Sequence, residues 1–181
     1  VRSFKDEVIF ERIVRLKQIR DRYESFEKNK IIQIMSQLRH HLINMDEIDK
    51  ICKQINEHER FIAYGSPTLL NLLFDFQVDM KIFDKTVLLS SVNDGKILVP
   101  KNNDLIGLFT ATGRLLGCCD AKFQEVVLDT KNTKILFSKS QINSEYIDFS
   151  FSMDTDNDYY EMHYVFLFLF DLIKTRYYEL Y

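Results

Sequence analysis

The sequence predicts an α/β fold: a doubly wound five-stranded parallel sheet with helices on both faces, preceded by a helical N-terminal segment. Three observations carry this expectation. Residues 1–64 hold neither Gly nor Pro, and an unbroken stretch of that length reads as helix. Beyond it, short apolar runs alternate with segments of helical period, the pattern of βαβ units. Crossover connections between parallel strands then place helices on both sides of the sheet.

The elements follow in order. Ile9, Ile13, Leu16 and Tyr23 fit one helical stripe, and Ile31, Met35, Leu38, Leu42 and Met45 form a heptad-like seam. That seam fits either core packing or a coiled or bundled dimer element. Ile48, Ile51, Cys52 and Ile55 continue the period after an acidic start at Asp46-Glu47. Residues 61–64 read as a first strand, stopped by Gly65-Ser66-Pro67, and residues 68–76 as a helix. Residues 80–83 read as a second strand. Residues 84–103 contain Val87-Leu88-Leu89, a turn-forming Asn93-Asp94-Gly95 and Ile97-Leu98-Val99-Pro100. A hairpin about that turn is one option for them, and the pattern leaves them unassigned. Residues 105–109 form a third strand. Leu115, Leu116, Cys119, Phe123, Val126 and Val127 then recur at helical spacing over four turns or more. Residues 134–138 and 146–152 read as the fourth and fifth strands. A last helix runs from about Tyr159 to the end.

The bulk properties are those of an ordinary globular chain. It has 181 residues, 46% of them hydrophobic and 28% charged, enough for one domain with a helical extension. The formal net charge of -3 argues against a nucleic-acid surface here, which would carry a basic excess. Three cysteines, Cys52 and the adjacent Cys118-Cys119, make no disulfide framework, and no signal peptide or spanning run is visible. A reducing cytoplasm is the expected compartment. The chain opens on Val1, and the expectation is a fragment whose upstream domain is missing.

Chemistry in such sheets sits beyond the carboxyl ends of the strands. Two strand-to-helix loops stand there: Gly65-Ser66-Pro67-Thr68 and Thr110-Ala111-Thr112-Gly113-Arg114. The second has the parts of an anion site. It offers two hydroxyls, a glycine that lets backbone approach a ligand, the amides and dipole of a following helix, and a guanidinium. The plainer alternative makes Thr112 an N-cap and Gly113 a turn residue. His40-His41 is a poor metal pair, since adjacent side chains on a helix diverge. The acidic run from Asp154 to Asp158 lacks the Gly and closing Glu of a calcium loop. No metal, cofactor or catalytic residue is expected.

The order of these pieces resembles the sugar isomerase (SIS) domain of RpiR-type transcription regulators, over about residues 46–178. The family's Ser-x-Ser-Gly-x-Thr loop is matched by Thr110-Ala111-Thr112-Gly113-Arg114-Leu115, and its following strands by 133–138 and 146–151. The final Thr of that motif falls at Leu115. In the first loop Gly65 is kept, the family's second Gly falls at Pro67 and its Ser near Leu69, with Ser66 or Thr68 able to substitute. The resemblance implies a non-enzymatic effector domain, residues 46–181, that binds a sugar phosphate at Gly65, Ser66, Thr68, Thr110, Thr112, Gly113 and Arg114. It also implies a homodimer with the apolar last helix as a possible interface, and residues 1–45 as a linker or dimerisation segment. DNA would be read by a missing N-terminal helix-turn-helix domain. Two other readings stand beside it. One is a sugar-phosphate isomerase, with Glu161 or His163 as general base. The other is a structural or protein-binding module without a ligand.

Overall fold

The computed structural model describes residues 45–92, 96–117, 120–152 and 159–181, with side chains in the last stretch from residue 163 onward. Several sequence expectations lie outside the described residues: the helices and heptad seam of residues 1–44, His40-His41, the Asn93-Asp94-Gly95 turn, Cys118-Cys119, the acidic run 154–158 and the side chain of Glu161.

Helix α1 (Met45–Glu57) buries Ile48, Ile51, Cys52 and Ile55, the apolar positions of its period. Lys85 ends it, its ammonium donating to the carbonyls of Asn56 at 2.8 Å and His58 at 3.0 Å. These are the acceptors that a helix terminus leaves without an internal partner. Strand β1 (Arg60–Gly65) follows, buried from Phe61 to Gly65. The next stretch is one winding that alternates α and 3-10 turns: α2 (Pro67–Leu70), a 3-10 turn (Asn71–Leu73), α3 (Phe74–Asp79) and a second 3-10 turn (Met80–Phe83). Strand β2 (Thr86–Ser91) and strand β3 (Leu105–Thr110) come next. Then come α4 (Arg114–Gly117), α5 (Ala121–Phe123) with a π-helical turn (Gln124–Leu128), β4 (Lys134–Ser138), β5 (Phe149–Ser152) and α6 (Tyr159–Leu180).

All five strands pair in parallel, in the order β2-β1-β3-β4-β5. The expected doubly wound five-stranded sheet is therefore present. Strands β1, β3 and β4 are buried on both faces, which is why they read as continuous apolar runs. One face packs Ile62, Tyr64, Ile106, Leu108 and Leu136 against Phe123, Val127 and Leu128 of the α5 segment. The other face is aromatic. Phe109 stacks on Phe137 with centroids 4.7 Å apart and lies 5.5 Å from Phe170 of α6, while Phe61 meets Phe76 of α3 edge-on.

Three elements differ from expectation. Residues 80–83 are not a strand: the second strand is β2, starting at Thr86, whose amide bonds the Glu59 carbonyl at 3.1 Å. Asp84, left-handed at φ 56°, separates the 3-10 turn from it. The helix expected across residues 115–127 is broken. Gly117 ends α4, and Asp120 starts a new helix by accepting the Phe123 amide at 2.7 Å, the ordinary work of an Asp N-cap. The fifth strand is four residues long instead of seven, because Asp148 turns its carboxylate onto the Lys134 amide at 2.8 Å. In α6, Val165, Phe166, Leu169 and Phe170 are buried in this chain's own core, leaving Tyr164 and Leu167 exposed within the apolar run. Among the described residues no helix is long and apolar enough to cross a membrane.

Between β2 and β3 the described part of the crossover is irregular. Residues 96–100 form neither strand nor helix. The segment is held at Leu98, whose amide donates to Ser90 Oγ at 3.1 Å and whose carbonyl accepts the Tyr64 hydroxyl at 2.6 Å. Burial, followed by the nearby Asp104 charge, raises the Tyr64 phenol above its ordinary value. Burial also pushes the Cys52 thiol up to about 12. In both groups the folded state keeps a proton that the unfolded chain releases earlier. Their contribution to stability is complete below pH 9 and falls as pH rises from there, through the window up to about 12 for Cys52. Unfolding by urea at pH 10 should therefore give a free energy about 1 kcal/mol lower than at pH 8. Cys52→Ala should remove most of the slope just above pH 9, and a profile equally steep without Cys52 would contradict this origin.

Candidate functional site

The strand order reverses at β1. The chain goes outward from β1 to β2, then returns past β1 to β3. Segments leaving β1 and β3 therefore run to opposite faces of the sheet, and in open α/β sheets ligands usually bind at such a reversal point. Both loops singled out in the sequence are at this point. Gly65 at the end of β1 pairs with Phe109, next to Thr110 at the end of β3.

Each residue of the first loop has a local reason. A Cβ on Gly65 would stand 3.0 Å from both the Cβ and the carbonyl oxygen of Phe109, so a side chain there would part β1 from β3. Ser66 is the extended N-cap of α2. Its carbonyl receives the amides of Leu69 and Leu70, while its hydroxyl makes no capping bond. Pro67 takes the first helical position, where a missing N–H costs nothing. Thr68 is exposed and Leu69 is buried in the core, so of these two only Thr68 faces solvent.

The second loop is anchored by Thr110, which is buried and paired with Ser138 of β4. Thr112 is exposed. Gly113 has φ +76°, a conformation that a side chain would strain, and a Cβ there would approach Ile142 Cδ1 to 2.7 Å. The Gly113 carbonyl accepts the first bonds of α4, from Leu116 at 3.0 Å and Gly117 at 3.4 Å. Gly113 thus stands at the cap, and Thr112 one residue before it. Arg114 opens α4 and is exposed. Helix α4 has only four residues, so its macrodipole is small compared with the long helix expected from the sequence. Backbone amides, hydroxyls and the Arg114 charge are what this loop offers an anion. Leu115 is half-buried against the core cluster, a packing role in place of a hydroxyl.

All seven predicted residues thus lie at the carboxyl edge, around the reversal point. The sequence reading did not single out the rest of that edge. Ser91 pairs with Gly65, and Ser138 pairs with both Thr110 and Ser152. Ser138 is fully buried, its hydroxyl donating to the Ser140 carbonyl at 2.7 Å. Each is the last residue of its strand, and that position after an apolar run is the signal that could have found it. Two clefts lie elsewhere. One of about 410 Å³ is lined by Asp129, Lys134, Tyr146 and Asp148 at the amino ends of β4 and β5, and one of about 230 Å³ lies between α1 and β5. Neither includes a residue of the two loops. Burial lowers the Lys134 ammonium below its ordinary value, yet it is held by the carbonyls of Thr130 and Asn132, a structural role. Among the described residues no cluster of His, Cys, Asp and Glu could hold a metal.

No protein-family model matches the chain, and no curated protein matches its sequence. Solved structures do match its fold, which is that of sugar-isomerase (SIS) domains. The chain is similar to the NanR protein of Vibrio vulnificus complexed with ManNAc-6P, with TM-score 0.66 and 11% identity over 93% of this chain and 68% of that one. It is similar to a hypothetical protein of Methanococcus jannaschii for which a 3-hexulose-6-phosphate isomerase function was inferred, with TM-score 0.62 and 14% identity over 82% and 85% of the two chains. It is also similar to the sugar isomerase domain of an RpiR transcription factor from Sphaerobacter thermophilus, with TM-score 0.55 and 10% identity over 82% and 87%. At these identities the likeness is one of fold.

Proposed function

We propose that residues 46–181 are the effector-sensing domain of an RpiR-type transcription regulator, binding a sugar phosphate between the loops after β1 and β3. The observation that supports this reading is the position of the two loops, after β1 and β3, at the carboxyl edge where the strand order reverses and Gly65 pairs with Phe109. Arg114, the loop amides and the Thr112 hydroxyl take the phosphate, and the other loop hydroxyls take the sugar. Residues 1–45 connect this domain to a DNA-reading domain upstream, and sugar-phosphate occupancy biases a two-state dimer. The NanR neighbour, complexed with ManNAc-6P, supports the ligand class. Hydroxyls end β2, β3, β4 and β5. The Ser138 hydroxyl is spent on the Ser140 carbonyl; hydroxyls of this kind suit hydrogen bonding to a sugar.

A panel of aldose, ketose and 2-acetamido sugar phosphates tests the reading by thermal shift. A true ligand at about 100 times its dissociation constant stabilises by roughly 2.7 kcal/mol, a rise of roughly 5–10 °C for a chain of this size. Thr112→Val should leave the unliganded melting temperature unchanged, because Thr112 is exposed. It should weaken binding at least about tenfold through loss of a bond to a charged group. An undiminished shift in Thr112→Val would refute the site, and turnover of any panel member would establish the isomerase reading instead.

A further inference from the structure

The connection from β4 to β5 carries no helix. Residues 139–148 form neither helix nor strand, although a parallel crossover ordinarily runs through a helix. The segment is fixed all the same. Ser138 Oγ donates to the Ser140 carbonyl at 2.7 Å as the chain bends away from β4. At the other end the Tyr146 hydroxyl accepts Gln124 Nε2 at 3.2 Å, and the Asp148 amide donates to the Lys134 carbonyl at 3.1 Å. Ile142, Tyr146 and Ile147 pack, partly buried, against the face of the sheet that α5 covers. Between these anchors Ile142 reaches the loop after β3. A Cβ built on Gly113 would stand 2.7 Å from Ile142 Cδ1 and 3.7 Å from Ile142 Cγ1, so the Ile142 side chain lies directly against the Gly113 backbone. We propose that Ile142 is a positioning residue, whose δ-methyl holds Gly113 in the left-handed conformation that sets the course of the loop from Thr110 to Arg114.

Gly113 does not select that conformation by itself. Its φ is +76°, and glycine populates positive and negative φ about equally. A contact from outside the glycine has to choose between them. Among the described residues, and leaving aside its chain neighbours, Ile142 alone has an atom within 4 Å of the Gly113 Cβ position. The winding beyond gives little help, since α4 has four residues and buries none of them. The loop therefore depends on a side chain from the β4–β5 connection, and a shift of that connection is passed to the candidate ligand site. The effect on ligand affinity rests on the sugar-phosphate reading; the holding of Gly113 does not.

Two substitutions in the full chain test it. Ile142→Val deletes only the touching methyl, a small change that leaves folding cooperative. Ile142→Met restores reach to the δ position. In the ligand-free protein Ile142→Val should speed hydrogen exchange of the Leu116 amide, which bonds the Gly113 carbonyl at 3.0 Å, roughly tenfold. The Ile106 amide, bonded to the Thr133 carbonyl at 2.9 Å, should change less than about threefold. Ile142→Met should return Leu116 close to its original rate. The dissociation constant for inorganic phosphate should rise about fivefold in Ile142→Val and recover in Ile142→Met. Equal acceleration of both amides would make Ile142 an ordinary core side chain and overturn the proposal. An unchanged Leu116 rate, or a phosphate affinity indifferent to Ile142→Val, overturns it too. Selective Leu116 exchange in a chain that binds neither phosphate nor any sugar phosphate would support the positioning role and refute the sugar-phosphate reading.

Discussion

Phe109→Ala is expected to lower the unfolding free energy by about 4 kcal/mol, measured by urea denaturation at neutral pH. Phe109 is 2% exposed at the centre of the aromatic face. Its ring lies flat on Phe137, and its centroid is 5.5 Å from Phe170, 6.1 Å from Phe166 and 6.5 Å from Phe61. Truncation removes a large block of buried apolar surface where β3, β4 and α6 meet. It leaves a cavity walled by four rings that are themselves fixed by other contacts. Collapse into that space is restricted, so the cavity adds to the transfer loss. Phe109→Leu, which keeps most of the volume, should cost only about 1–2 kcal/mol. The backbone of β3 and its pairing with Gly65 survive in Ala, so the fraction that remains folded should still respond to ligand. Equal losses in the two variants would show that packing volume is not what the ring supplies.

Asp104→Ala is expected to cost about 3 kcal/mol by the same measurement. Asp104 precedes β3 at the amino edge of the sheet and is 3% exposed. Its carboxylate accepts the Arg60 guanidinium at 2.8 Å and the Lys101 amide at 2.7 Å. The Asn132 side chain bridges the carbonyls of Lys101 and Asp104 at 2.7 and 2.9 Å. Removing the carboxylate leaves a largely enclosed guanidinium and a loop amide without their acceptor, and the penalty for an abandoned charge exceeds the net worth of the pair. Asp104→Asn retains an acceptor oxygen and should cost about half as much. Because the network lies at the edge opposite the candidate loops, neither variant should alter ligand affinity per folded molecule. A loss below about 0.5 kcal/mol would place the Arg60 pair among surface ion pairs of little consequence.

The central strands were legible because burial on both faces leaves a continuous apolar run, and 61–64, 105–109 and 134–138 each carry one. The second strand was misplaced because Met80-Lys81-Ile82-Phe83 is as apolar as Val87-Leu88-Leu89, and four residues are too few for periodicity to separate a strand from a helical turn. Only the pairing of Thr86 onto Glu59 decides it, and that is a tertiary fact. The break at Gly117 and Asp120 had a local signature, a glycine followed by a good N-cap, which the regular spacing of Leu115 to Val127 overrode. At the site, Gly65 and Gly113 were legible as backbone requirements. The departures at Pro67, Leu69 and Leu115 now have structural accounts: a first helical position, a core side chain and a cluster contact. The serines ending the neighbouring strands were not legible, since their relation to Thr110 exists only through sheet register.

The placement of β1 inside the sheet also governs the order in which the molecule can assemble. Its far edge pairs with β3, so Phe61 and Leu105 must meet across the whole span that contains α2, α3 and β2. As the chain leaves the ribosome, β1 and β2 can pair early, but one full rim of β1 stays open until residue 110 has emerged. That rim, from Phe61 to Gly65, is apolar, and an unpaired apolar strand edge recruits strands from other chains. Long-range parallel pairing is also slow to form. Chains that end between β2 and β3 should therefore aggregate more readily than the full chain.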